Sequence, residues 1–125
     1  MPTLSPRSYA HLDTCDTRIK CVIERAIKLV PKELDFIVLC GFRGEQEQNL
    51  AFNAGNSKLR WPESRHNKNP SLAVDVVPYP IDWTNLDRFY QLATYIFWAA
   101  QIEQVNLTWG GHYTKFKDLP HWEIK

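Results

Sequence analysis

Four histidines stand in the 125-residue chain: His11, His66, His112 and His121. Imidazole moves protons near neutral pH and binds borderline-soft cations. A catalytic zinc site uses three protein ligands and leaves one position for water. His66, Asp75 and His121 would supply such a set. Asp75 lies inside the apolar run Leu72-Ala-Val-Asp-Val-Val77, where a carboxylate is costly unless something pairs with it. A metal is one such partner, and solvent on one face of an alternating strand is the other. His121 opens the segment His121-Trp-Glu-Ile, whose alternation puts His121 and Glu123 on one face. Glu123 could therefore orient His121. Asp118, three residues before His121 across Leu119-Pro120, could reach an attacking water without binding the metal. It would take the water's proton and return it to a leaving amine; otherwise it is a turn residue. Two histidines and one aspartate spread this widely are suggestive only.

The elements that must hold these residues follow from periodicity. Residues 1–12 read as a loose arm. Asp13 or Thr14 can cap a helix to about Val30, with Ile19, Val22, Ile23, Ala26 and Val30 on one face and Pro31 as its stop. Phe36-Ile-Val-Leu-Cys40 reads as a buried strand closed by Gly41. A second helix runs from Glu45 to about Ala54 and ends at Gly55. Residues 55–71 are a long irregular connection, a length that is uncommon unless it serves a function. A strand follows at 72–77. The next helix starts at Thr84, with Thr84 and Asp87 as a capping box, and runs to about Ile102 on the stripe Leu86, Phe89, Tyr90, Ala93, Ile96, Phe97 and Ala100. Leu107–Trp109 and His121–Ile124 are short strands around a Gly110-Gly111 turn. The pattern predicts one α+β domain over 1–125: a small antiparallel sheet against three helices, with the metal site at the sheet face.

Composition narrows the function class. At 44% hydrophobic and 23% charged, the chain is too apolar to be disordered. A net charge of +1 gives no reason to expect a nucleic-acid or membrane partner. Lys58, Arg60, Arg65 and Lys68 cluster around His66, either as a solvated loop or as a docking surface for an acidic polymer. Cys15, Cys21 and Cys40 show no metal-type spacing and no even pairing. Cys21 and Cys40 read as small core residues, and reduced thiols suit synthesis in the cytosol. No signal peptide or membrane span is visible.

Taken in order, Ser64-Arg-His66, Leu72-Ala-Val-Asp75, Trp109-Gly-Gly111 and Asp118-Leu-Pro-His121-Trp-Glu123 resemble the zinc D-alanyl-D-alanine carboxypeptidase and L-alanyl-D-glutamate endopeptidase family. The small phage endolysins of that family are most alike. Gly41-Phe-Arg43 followed by Glu45-Gln-Glu-Gln48 resembles its upstream segment, so the likeness runs from about residue 36 to the end. It implies zinc on His66, Asp75 and His121, and Asp118 as the base. It also implies Arg43 as the cation that steadies a substrate carbonyl or carboxylate, and Ser64 as a substrate or supporting contact. From the residues alone Arg43 reads equally as a surface charge. The chain departs from the family in three places. His66 and Asp75 are nine apart where seven is usual, so Asn67 to Pro70 must bulge. Ser71 stands where glycine is often found. His112, a candidate substrate contact or extra ligand, follows Gly110-Gly111 where an acidic residue is common.

The resemblance implies a zinc endopeptidase that cuts the L-Ala–D-Glu bond of bacterial peptidoglycan. It would be a monomeric lysis protein waiting in the host cytoplasm. A D-Ala-D-Ala carboxypeptidase is the alternative within the class, since Arg43 or Arg65 could hold a terminal carboxylate. A non-catalytic zinc or wall-binding module is the alternative outside it, and Asp118 argues against that one. The remaining alternative is no metal at all.

Overall fold

The structure is a computed structural model that describes residues 2–125. Its helices are α1 (Pro6–Leu12), α2 (Thr17–Leu29), α3 (Glu45–Asn53) and α4 (Leu86–Glu103). Its strands are β1 (Phe36–Cys40), β2 (Ala73–Pro78), β3 (Leu107–Trp109) and β4 (His121–Ile124). The strands form one antiparallel sheet in the order β1-β2-β4-β3. The expected α+β architecture is therefore present, with one helix more than foreseen.

That extra helix corrects the loose arm. Ser5 caps α1 by accepting from the Ser8 N–H, Pro6 sits in the first turn, and Leu4, Ser8 and Leu12 turn inward. Ser8 Oγ accepts a hydrogen bond from the Val38 N–H (3.0 Å), which ties α1 to β1. Asp13 and Thr14 consequently finish α1, and Asp16 caps α2 instead, through the Arg18 N–H at 2.9 Å.

The apolar face of α2 packs with α4 over the sheet, as the periodicity requires. Ile19, Val22, Ile23 and Ala26 are fully buried. Cys21 is not a core residue: it lies off that stripe and is exposed. Cys15 is the buried cysteine, and Cys40 is half-buried. The expected capping box of α4 does not form. The Thr84 N–H and hydroxyl both donate to Asp82 Oδ1 (3.0 and 2.7 Å), so the helix begins two residues later, after Asn85. Leu86 and Tyr90 of the foreseen stripe lie at its edge and are exposed.

Pleat decides which residues face the core. Val38, Val74, Val76, Trp122 and Ile124 point toward the helices. Trp122 is sandwiched, stacked on Trp109 at 5.6 Å and met edge-on by Phe97 at 4.9 Å. The opposite face carries Cys40, Asp75, His121 and Glu123.

Candidate active site

The register between β2 and β4 builds the centre of the site. Asp75 pairs with His121 and Ala73 with Glu123, while Cys40 of β1 pairs with Asp75. Cross-strand partners project side chains to the same face, so the aspartate expected to be awkward in an apolar strand meets His121 directly. His66 arrives from the 3-10 turn Arg65–Asn67. Ser64 Oγ accepts from the His66 N–H, and Asn67 Oδ1 accepts from the Ser64 N–H, a reciprocal cap. The Arg43 N–H donates to the His66 carbonyl (2.8 Å), and the Leu72 N–H to the Arg65 carbonyl (3.2 Å). The segment from Asn67 to Ser71 is thus held in a closed turn.

Three atoms converge. His66 Nε2 lies 3.3 Å and His121 Nδ1 lies 3.5 Å from Asp75 Oδ1, and the two nitrogens are 3.2 Å apart. The outer atoms fix the tautomers. His66 Nδ1 lies 2.8 Å from the Gly41 carbonyl, which can only accept, so Nδ1 carries the proton. His121 Nε2 lies 2.7 Å from Glu123 Oε1 and donates to it. In their neutral form both rings therefore turn bare lone pairs inward toward a carboxylate oxygen. Asp75 Oδ1 is sealed from solvent and has no hydrogen-bond partner of its own. Three acceptors facing one another repel unless a cation lies among them, and nitrogen, nitrogen and carboxylate donors suit a metal ion.

Protons are the other cation the two imidazoles and Asp75 can share. Burial opposes charging His66, but the Asp75 carboxylate outweighs it and raises its pKa to about 10. His121 rises to about 9 against the same burial penalty, through Asp75 and Glu123. Burial would raise Asp75, yet the two imidazoles hold it far below the carboxylate range.

Cys40 forms a second grouping. Donor atoms of Cys40, His66 and Asp75 lie within 4.8 Å of one another, a possible metal-binding triad. Its Sγ is 3.9 Å from His66 Nδ1, the nitrogen already bonded to Gly41. Gly41 has no room for a side chain: an added Cβ would collide with the His11 carbonyl and Thr14 Oγ1.

Arg43 reaches the same centre. Its Nη2 is 3.4 Å from Asp75 Oδ2, and its Nη1 donates to Gln48 Oε1 at 3.0 Å. Gln48 is wholly buried. Its Oε1 also accepts from Asn67 Nδ2 (3.1 Å), and its Nε2 donates to Ser57 Oγ (2.9 Å) and the Leu59 carbonyl (2.6 Å). Sequence reading placed Gln48 in a motif but gave it no role. A polar residue on the inward face of an otherwise polar helix was the available signal.

Arg43, His66, Asp75 and His121 line a cleft of about 960 Å³. Asp118 is on its wall. Burial, then the charge of Asp75, raises its pKa above the ordinary value. The backbone holds it closely: Asp118 N–H donates to the Gly110 carbonyl (3.0 Å), and a Cβ on Gly110 would strike the Asp118 carbonyl. Glu123 Oε1 also accepts from the Tyr113 hydroxyl (3.2 Å), and its Oε2 pairs with Arg65 (3.1 Å). Tyr113, also unforeseen, is itself pushed up to about 12 by burial and Glu123. His112 lines the rim but is not part of the converging cluster; its ring stacks on Phe97 at 5.5 Å. The basic loop is largely engaged within the protein. Lys58 lies over Phe116, Arg60 lies over Phe52, and Arg65 pairs with Glu123.

No helix among the described residues is long and apolar enough to cross a membrane. No curated protein matches the chain. A crystal structure of the Serratia marcescens L-Ala D-Glu endopeptidase ChiX is similar over 98% of this chain and 90% of that one, with a TM-score of 0.84 and 28% identity. The model of the phage L-alanyl-D-glutamate peptidase family matches residues 2–124, which takes in every residue of the cleft and all four strands. The chain belongs to that family of peptidases.

Proposed function

We propose that the protein is a zinc-dependent endopeptidase that hydrolyses the L-Ala–D-Glu bond of peptidoglycan stem peptides. The observation that carries this reading is the buried, unpartnered Asp75 Oδ1 facing two inward imidazole lone pairs beside an aspartate-bearing cleft. Family membership and the ChiX likeness support the bond assignment.

His66, Asp75 and His121 would hold the zinc. Cys40 is set aside because its approach to His66 is from the Gly41 side, and a thiolate would add a fourth protein ligand and close the site to water. Bound zinc supplies a Lewis acid that polarises the scissile carbonyl and acidifies the attacking water. Asp118 accepts the water's proton and delivers it to the leaving amine nitrogen. Arg43, anchored by Gln48, presents a fixed guanidinium to the carbonyl oxygen as negative charge develops there, or to the neighbouring carboxylate of D-Glu. Ser64 keeps His66 in place through its backbone, and Glu123 keeps His121 in the required tautomer. His112 is left as a rim residue that substrate can touch. Peptidoglycan is the polymer partner, met after release from the host cytoplasm by a monomeric enzyme.

Purified protein should carry about one zinc per chain, lost in His66→Ala and kept in Cys40→Ser. Digested peptidoglycan should expose new L-Ala carboxyl and D-Glu amino termini. Free D-Ala with intact L-Ala–D-Glu bonds would instead establish a carboxypeptidase.

Two further results follow from the site's electrostatics. Glu123→Gln removes the charge that His121 Nε2–H faces, and zinc affinity should drop roughly 10- to 100-fold by competition with a chelating dye. An unchanged affinity would leave Glu123 without a role at the metal. Zinc binding at pH 7 should also release about one to two protons, because the metal-free histidines hold them up to about 9 and 10. The sign of the stability effect follows. Raised histidine pKa values stabilise the metal-free fold fully below their ordinary 6.5, and that contribution is lost as pH rises through 9 to 10. The stability gap between zinc-loaded and metal-free protein should therefore widen with pH. Titration calorimetry in buffers of different ionisation enthalpy measures the protons directly, and a buffer-independent heat would refute the release.

A further inference from the structure

A second groove, of about 500 Å³, opens beside the cleft and shares Asn56, Asp118 and Pro120 with it. Its remaining wall is Trp83, Phe89 and Leu119, with Lys117. Trp83 is 54% exposed, an unusual position for the largest apolar side chain, whereas Phe89 beneath it is buried. The two rings stack at 5.8 Å and 21°. One face of the indole is thus supported and the other is open.

The loop that presents Trp83 is tied down on both sides. Asp82 Oδ1 accepts from the Thr84 N–H and hydroxyl, just after the indole. The Arg88 guanidinium donates to the Tyr79 and Pro80 carbonyls just before it (3.0 Å each). The backbone on both sides of the indole is therefore held, and the ring itself rests on Phe89 as a shelf. Lys117 is likewise held, donating to the Gly111 and Tyr113 carbonyls.

A rigid aromatic plane with one open face and polar groups at its margin suits a pyranose ring, whose axial C–H groups stack on the indole while its hydroxyls and acetamido group reach polar neighbours. In peptidoglycan, the L-Ala amino group is joined through a lactyl link to N-acetylmuramic acid. A peptidase that cuts just beyond L-Ala therefore has a sugar only a few bonds from its reacting carbonyl. We propose that the Trp83–Phe89 shelf is a subsite for the N-acetylhexosamine of the substrate's glycan, reached from the cleft past Asp118 and Pro120. This rests on the bond assigned above.

The test uses zinc-loaded full-length protein and two substrates, a disaccharide-linked stem peptide and the same peptide without sugar. The wild type should show the higher kcat/KM on the linked substrate. Trp83→Ala should reduce that preference roughly five- to tenfold, Trp83→Phe should keep most of it, and Trp98→Ala, exposed on another face of α4, should not alter it. Titration with the N-acetylglucosaminyl-N-acetylmuramic acid disaccharide alone should shift the indole N–H resonance that is missing from Trp83→Phe. An unmoved resonance, or a preference that survives Trp83→Ala, overturns the shelf. Failure to cut either substrate between L-Ala and D-Glu overturns the bond assignment instead, while the disaccharide titration still decides the shelf.

Discussion

Asp118→Asn should keep its zinc and its fold while kcat falls by roughly 10²- to 10⁴-fold, the usual loss on removing a general acid–base group. The amide fills the same space and can still donate and accept hydrogen bonds, but it cannot take a proton at neutral pH. The ligand set is untouched, so zinc content separates this variant from one that merely loses metal. Burial and the Asp75 charge both raise the Asp118 pKa, which makes it a stronger base than an exposed carboxylate. The Gly110 contact fixes its backbone against the cleft, so little conformational freedom is left to recover the function. Activity within a few-fold of wild type on purified peptidoglycan, with zinc bound, would remove Asp118 from the mechanism. Loss of zinc together with activity would mean that Asp118 serves the metal and not the proton.

Of the converging residues, Asp75 was legible because its chemistry is out of place, and the two histidines were joined to it by the order of the motifs. A carboxylate in Leu72–Val77 has no ordinary reason to be there, and the pleat places it opposite His121 once β2 and β4 pair. The same alternation put Glu123 beside His121, as found. Regular elements with clean stripes, α2 and the strands, were equally readable. Contacts that depend on distant partners were not. Helix α1 carries Ser8 and Leu12 inward, with Leu4 just ahead of its cap, but the first of the two is a serine whose partner, the Val38 N–H, is 30 residues away. A polar residue at that position reads as surface until the strand is in view. The cap of α2 moved to Asp16 for the same reason: Thr14 is already used, donating to the His11 carbonyl and accepting from the Phe42 N–H. Lysine and arginine near His66 read as a free basic patch, yet Arg65 is committed to Glu123 and Arg60 to the ring of Phe52. Charge can be counted from sequence, but whether it is already neutralised cannot.

Gln48 is the strongest instance, and it yields the second large effect. Its amide uses both faces to join four parts of the site: Arg43, Asn67 of the His66 turn, Ser57, and the Leu59 carbonyl of the cleft rim. Gln48→Met fills similar volume with no polar atoms able to replace these bonds. Asn67 is buried and loses an acceptor, and the Leu59 carbonyl loses its shortest donor. Asn67 Nδ2 keeps the Arg43 carbonyl and the Leu59 carbonyl keeps Ser57 Oγ, so the fold should lose about 1–3 kcal/mol. For a domain of this size that lowers Tm by roughly 5–10 °C. Arg43 also loses its anchor, so kcat/KM measured well below the new Tm should fall more than zinc affinity does. Ser57→Ala removes one spoke of the same hub together with the two bonds between Ser57 Oγ and Leu59, and should cost about 1 kcal/mol alone and somewhat less in the Gln48→Met background, where only the Leu59 bonds remain to be lost. Full additivity of the two changes, or a Tm within about 2 °C of wild type for Gln48→Met, would show that the rim and the arginine are held by something other than this amide.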